Sequence, residues 1–214
     1  AFQHSCMRFG VFVFVVFFAS YLPAQTGLVS RYVGKVSERA VTSREVEINF
    51  HVEKLMFPKT APKVWRDAGE AGYQRAVDGV LIEWAVFLES KQFATIKVSD
   101  QEVAKALKEL RRQMRKSALW RRLQPSDDEL KGVIERKLRA KDFIQFRAKS
   151  SQLRVTDFDA QQYFRRNPDR FRGLDFEDYK EQIKSLLKKR ELEQQLVQWF
   201  RVLQTKYKVS SRFG

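Results

Sequence analysis

The side chains able to do acid–base, nucleophilic or metal chemistry are few in this sequence. The 214-residue chain has two histidines, His4 and His51, and one cysteine, Cys6. A Ser-His-Asp relay needs a histidine within reach of a hydroxyl and a carboxylate, and a zinc site of the usual N and S type needs several such ligands together. With His4 and Cys6 confined to the first six residues, His51 stands alone, and its expected place is a helix surface. Asp127, Asp128 and Glu129 form a carboxylate run that could serve acid–base or metal chemistry. Ser126 precedes them as a helix N-cap, however, and acidic residues in a first turn complement the helix dipole. Gly69 and Gly72 are too few for a phosphate-cradling loop. The expectation is no catalytic residue, no metal and no cofactor.

The abundant residue types favour binding. Lys and Arg number 41 against 26 Asp and Glu, a net charge of +15, and 13% of residues are aromatic. Arg111, Arg112, Arg115, Lys116, Arg121 and Arg122 surround Trp120, and Lys188, Lys189 and Arg190 form a second basic run. Basic residues interleaved with aromatics suit nucleic acid, acidic polypeptides or anionic surfaces, and equally a solvated helix face. Trp65, Trp84, Phe87, Trp120, Phe143, Phe146 and Trp199 supply the aromatic material for a core or a binding surface. The residues singled out for substrate contact are Trp84, Phe87 and Trp120, with Arg111, Arg112, Arg115, Arg121 and Arg122. Trp120 leads them, because its neighbours Arg121 and Arg122 suggest a wet surface.

The N-terminus narrows the partners. Arg8 precedes the apolar run Val11–Ala19, and small residues then lead to Ala24. This is the order of a secretory signal peptide over residues 1–24, too short in its apolar part for a comfortable membrane span but able to serve as an anchor if uncleaved. An exported chain rarely meets nucleic acid, so the expected location is outside the cytoplasm in an oxidising compartment, which the resemblance below implies to be the periplasm, and the expected partners are polypeptides or an anionic envelope surface.

The elements that must position these side chains are mostly helices. RYVGKV (31–36) and AVTS (40–43) alternate in hydropathy about a turn at Ser37, Glu38 and Arg39, the pattern of a hairpin. Five helix starts follow at Thr42, Ser99, Ser126, Thr156 and Asp175, each with a carboxylate three residues on. Glu45, Glu102 and Glu129 complete the capping-box pattern, whereas Asp159 and Asp178 have shorter reach. A sixth helix over about 70–92 is signalled by the spacing of Ala76, Val80, Ile82, Trp84, Phe87 and Leu88. The last, from Phe176 to Tyr207, would be about 45–50 Å long. The tail KVSSRF (208–213) alternates again and is expected to join the hairpin as a third strand. The fold class is therefore mainly α, six helices and a small sheet joining the two chain ends.

The order of the segments VSDQEV (98–103), YFRRNPDRF (163–171) and FED (176–178) with its long basic helix resembles the SurA-type periplasmic chaperones, whose relatives include PpiD and PrsA. The similarity spans about 31–213. Many relatives carry a parvulin-type prolyl isomerase domain between the Tyr-Phe…Phe stretch and the final helix. Here only Arg172, Gly173, Leu174 and Asp175 separate Phe171 from Phe176. The resemblance thus implies a chaperone cradle without the isomerase, an ATP-independent holdase for unfolded outer-membrane or secreted proteins with no small-molecule substrate. Two other classes stay open: an accessory subunit of an envelope complex or non-catalytic component of a membrane-anchored foldase, and a divergent prolyl isomerase.

Overall fold

The computed structural model describes residues 30–59, 69–94, 96–115, 117–151 and 153–213. The expected leader over 1–24, with His4 and Cys6, lies outside them, as do Trp65 and Lys116. Within them run β1 (Tyr32–Val36), β2 (Arg39–Thr42), α1 (Ser43–Met56), α2 (Gly69–Ser90), α3 (Asp100–Met114), α4 (Ala118–Leu123), α5 (Asp127–Ser150), α6 (Asp157–Arg166), a 3-10 turn at Pro168–Arg170, α7 (Phe176–Lys206) and β3 (Ser210–Ser211). The protein is mainly helical, and the described residues hold one three-stranded antiparallel sheet of order β2-β1-β3. The six expected helices are present, and α4 is an addition whose N-cap Ser117 makes no side-chain cap bond.

The caps form largely as the sequence suggests, with two instructive departures. Ser99 with Glu102 and Ser126 with Glu129 make reciprocal capping boxes. Thr156 with Asp159 also closes fully, Asp159 Oδ2 accepting from the Thr156 N–H at 2.8 Å despite its shorter side chain. Thr42 caps α1 in one direction only, because Glu45 is drawn inward to Trp84 Nε1 (2.6 Å) and Arg136 (2.9 Å).

The sheet joins the chain ends. The register of β1 on β2 shifts between Tyr32 and Gly34, and this irregularity lets both Val33 and Val36 turn into the core, which strict alternation would forbid. Gly34 faces Ser211 on β3, and a Cβ there would meet the Ser210 carbonyl at 2.6 Å, so the close strand approach requires glycine. The Tyr207 carbonyl accepts from the Ser37 N–H at 2.6 Å. The Tyr207 hydroxyl donates to Glu89 at 2.7 Å, and burial together with that carboxylate pushes the phenol well above its ordinary range. Phe213 packs edge-on to Tyr73. Truncation after Lys206 is expected to remove all of this at once and lower the thermal midpoint by more than 10 °C; an unchanged midpoint would show that the ends do not interlock.

Three cores result. The first lies between the sheet, α2, the end of α5 and the end of α7, around Val36, Leu81, Phe143 and Leu203. The second joins α1, α3, α4 and α5 around Val52, Leu110, Trp120 and Ile134. The third is small, where Ala160 of α6, Phe171 and Ile183 of α7 meet. Asp157 fastens this hairpin to Lys180 and Lys184, whose ammonium groups hold its carboxyl down to about 2. The apolar positions of α7 therefore serve two different cores. Its 31 residues span about 46 Å, and residues 188–198 between the two cores are mostly exposed.

Candidate functional site

The basic run around Trp120 does not form one face. Trp120 is 7% exposed and sits in the second core, its ring edge-on to His51 at 5.7 Å. This corrects the wet-surface expectation: successive helical side chains diverge by about 100°, so exposed Arg121 and Arg122 say nothing about where Trp120 points. His51 is likewise half-buried on α1 rather than exposed. Arg111 folds back onto Asp127 and the Pro125 carbonyl, Arg112 onto Glu109, and Arg122 across to Glu47 at 2.6 Å. The Arg112 guanidinium and the Gln113 amide hold the Glu109 carboxyl down to about 2. Arg115 and Arg121 are exposed, but Arg115 is the C-cap that follows α3 and Arg121 lies on α4. Trp120→Ala is expected to cost about 3–5 kcal/mol of stability, as for other buried aromatics; a denaturant midpoint within error of the parent would return Trp120 to the surface.

Trp84 and Phe87 do come together, edge-on at 5.5 Å on α2. Phe87 is buried. Trp84 anchors an internal ion network: the Arg136 guanidinium lies 4.3 Å from its ring centroid, and Arg39 lies 3.8 Å from it. Arg136, 2% exposed, donates to Glu83 (2.6 Å), Glu45 (2.9 Å) and Asn49 (2.8 Å). Lys137 bonds Glu53 and Glu83. Burial opposes ionisation of Glu83, but Lys137 and Arg136 together outweigh it and hold the carboxyl below its ordinary range. This network welds α1, α2 and α5. The carboxylate run at the start of α5 is likewise structural, Asp127 and Glu129 pairing with Arg111 and Arg44.

The open apolar surface lies elsewhere. Phe93, Phe143 and Phe146 form a ladder out of the first core, with centroids 4.8 Å and 6.2 Å apart, and Trp199 of α7 meets Phe143 edge-on at 5.6 Å. Phe146 ends the ladder 39% exposed. Beside it, the free stretch of α7 and Arg147 of α5 border a shallow groove of about 1080 Å³. Val197 and Val202 (62% exposed) stand outward along α7, and Gln194 and Gln198 add amide donors and acceptors. Arg147 covers the Trp199 ring at 5.4 Å, and Arg190 reaches the Tyr163 ring of α6 at 5.2 Å. Sequence reading named Phe143, Phe146 and Trp199 as aromatic material but did not single them out. Their signal, aromatics at helical spacing, reads equally as core, and it is the adjacency of Phe143 on α5 and Trp199 on α7 that leaves Phe146 exposed at the core's edge.

Such a groove can grip an extended chain by apolar contact and amide hydrogen bonds. Among the described residues no cluster of His, Cys, Asp and Glu is arranged to hold a metal ion. No described helix is long and apolar enough to cross a membrane. The fold and groove define a class: a mainly helical protein closed by a sheet of its two ends, with an open basic and aromatic shelf along its longest helix. No protein-family model, curated protein or solved structure matches the chain.

Proposed function

We propose that this protein is an ATP-independent periplasmic holdase that keeps unfolded outer-membrane or secreted proteins from aggregating, gripping them along the groove between α5 and α7. The observation that carries this reading is the exposed series Phe146, Val197 and Val202 beside Arg147 and Arg190. An unfolded β-barrel precursor exposes alternating apolar side chains and unpaired backbone, which aggregate unless covered. A shallow apolar shelf with amide side chains covers such segments without selecting one sequence. The net charge of +15 favours encounter with acidic clients. Release follows mass action. No catalytic step is assigned, and proline-limited refolding should run no faster with this protein than with an inert basic one.

The direct experiment is dilution of a urea-unfolded outer-membrane β-barrel protein with and without the full chain. Suppression of light scattering at near-equimolar ratio, without nucleotide, is the expected result. Undiminished scattering at tenfold excess would overturn the reading. An accessory-subunit role is favoured by one observation, the exposed Phe158 and Leu174 on the α6–α7 hairpin. Under that role a fixed partner should co-purify at constant stoichiometry, and Phe158→Ser should release it.

A further inference from the structure

A second cavity, separate from the groove and independent of the holdase reading, lies where β2, α1, α2 and α5 meet. It is half-enclosed, of about 260 Å³, with Ile48, Trp84 and Val133 as apolar wall and Arg39, Arg44 and Arg136 as its cations. We propose that it binds an apolar carboxylate: a flat hydrocarbon group of about one aromatic side chain, carrying one carboxylate.

Three observations converge on this. The first is which guanidinium lacks a hydrogen-bonded acid. Arg136 commits all its nitrogens, to Glu83, Glu45 and Asn49. Arg44 commits its own to Glu129, through Nε and Nη2, and to the Leu123 carbonyl. Arg39 is 51% exposed, and its nearest counterion, Glu45, lies at 3.7 Å, beyond hydrogen-bond length. Its Cζ lies 3.8 Å from the Trp84 ring centroid, a cation–π contact that restrains the guanidinium at the cavity rim. A restrained guanidinium fork is the geometry that accepts a carboxylate in bidentate fashion.

The second observation concerns the cavity's own acids. Glu45 is held by Arg136 and Trp84, Glu129 by Arg44, and Asp128 lies near Lys131 at 3.8 Å. Among the described residues lining the cavity, Arg39 is the cation with no hydrogen-bonded acid, its ion pair with Glu45 standing at 3.7 Å.

The third is Gly132, in the interior of α5 and part of the cavity lining. A helix-interior glycine costs about 1 kcal/mol relative to alanine. Nothing lies within 4 Å of where its Cβ would be, so no packing constraint demands glycine. What the missing side chain leaves is room for a flat group against the helix, between Ile48 and Val133.

The test is calorimetric titration of the full chain with N-acetylphenylalanine, its uncharged amide, and N-acetylleucine. A peptide ending in phenylalanine is compared with its C-terminal amide. Saturable binding of N-acetylphenylalanine, weakened at least tenfold by amidation and more than threefold in N-acetylleucine, is expected. Arg39→Gln should weaken binding at least tenfold with an unchanged circular dichroism spectrum. Gly132→Leu should abolish it, while Gly132→Ala should raise the thermal midpoint through helix propensity. If Gly132→Leu fails to fold, Arg39→Gln decides alone, since its side chain is half-exposed. Tighter binding of the free-acid peptide than of N-acetylphenylalanine would assign the ligand to a chain end, equal binding to a free acid, and both support the site. No saturation at millimolar N-acetylphenylalanine, or equal affinity for acid and amide, overturns it.

Discussion

Arg136→Met is expected to destabilise the protein by about 3–5 kcal/mol, the usual cost of removing one partner from a buried ion pair. At about 2–4 °C per kcal/mol for a chain of this size, the thermal midpoint should fall by roughly 6–20 °C. Methionine replaces much of the side-chain volume, so packing contributes little to the loss. The loss comes from Glu45 and Glu83, which keep their half-buried positions without the guanidinium that bonds them at 2.9 and 2.6 Å. Lys137 still reaches Glu83 at 2.8 Å, which keeps the cost in the single digits.

The pH dependence has a definite sign. In the parent the Glu83 carboxyl is held below its ordinary value, so its contribution is complete above the carboxylate range and is lost as pH falls through the lowered value. In the variant, burial with less counter-charge favours the protonated acid instead. The gap between parent and variant should therefore narrow as pH drops from 7 toward 4. A loss under 1 kcal/mol, constant over that range, would mean that the network does not hold α1, α2 and α5 together.

The second large effect concerns the groove. The triple substitution Phe146→Ser, Val197→Ser and Val202→Ser is expected to weaken binding of an unfolded β-barrel client by about 10–100-fold, as loss of roughly 1.4–2.8 kcal/mol of apolar contact implies. All three side chains are exposed in the free protein, so the thermal midpoint should move by only a few degrees. The change should fall on dissociation, because short-range apolar contact governs departure and long-range charge governs arrival. Raising salt should do the converse, slowing association by screening beyond about 8 Å. An unchanged affinity in the triple variant would move the binding surface off α7.

Much of the scaffold was legible in the sequence. The cap residues Ser99, Ser126 and Thr156, the alternation at both chain ends and the length of α7 are local signals, each carried by residues within a turn or two of one another. α4 was not legible: at six residues, with no side-chain cap, it has no signal of its own. The arginines defeated sequence reading for a different reason. Arg122 and Arg136 find Glu47 and Glu45 at separations of 75 and 91 residues, so what reads as a basic face is in part an internal scaffold. Trp120 shows the same limit. Flanking charges fix the exposure of their own positions and leave the adjacent face of the helix free to turn inward. The groove is a tertiary object, since its lining residues Arg147 and Val202 lie 55 positions apart on α5 and α7.

Site-specific photo-crosslinking tests most directly whether unfolded clients lie along α7. A photo-reactive amino acid at Val202, in the full chain mixed with an unfolded outer-membrane β-barrel protein, should give crosslinks competed by excess client. The same group at Lys35, on the sheet away from the groove, should give few. Strong crosslinking from Lys35 with none from Val202, in a protein that still suppresses aggregation, would contradict the assignment of the groove.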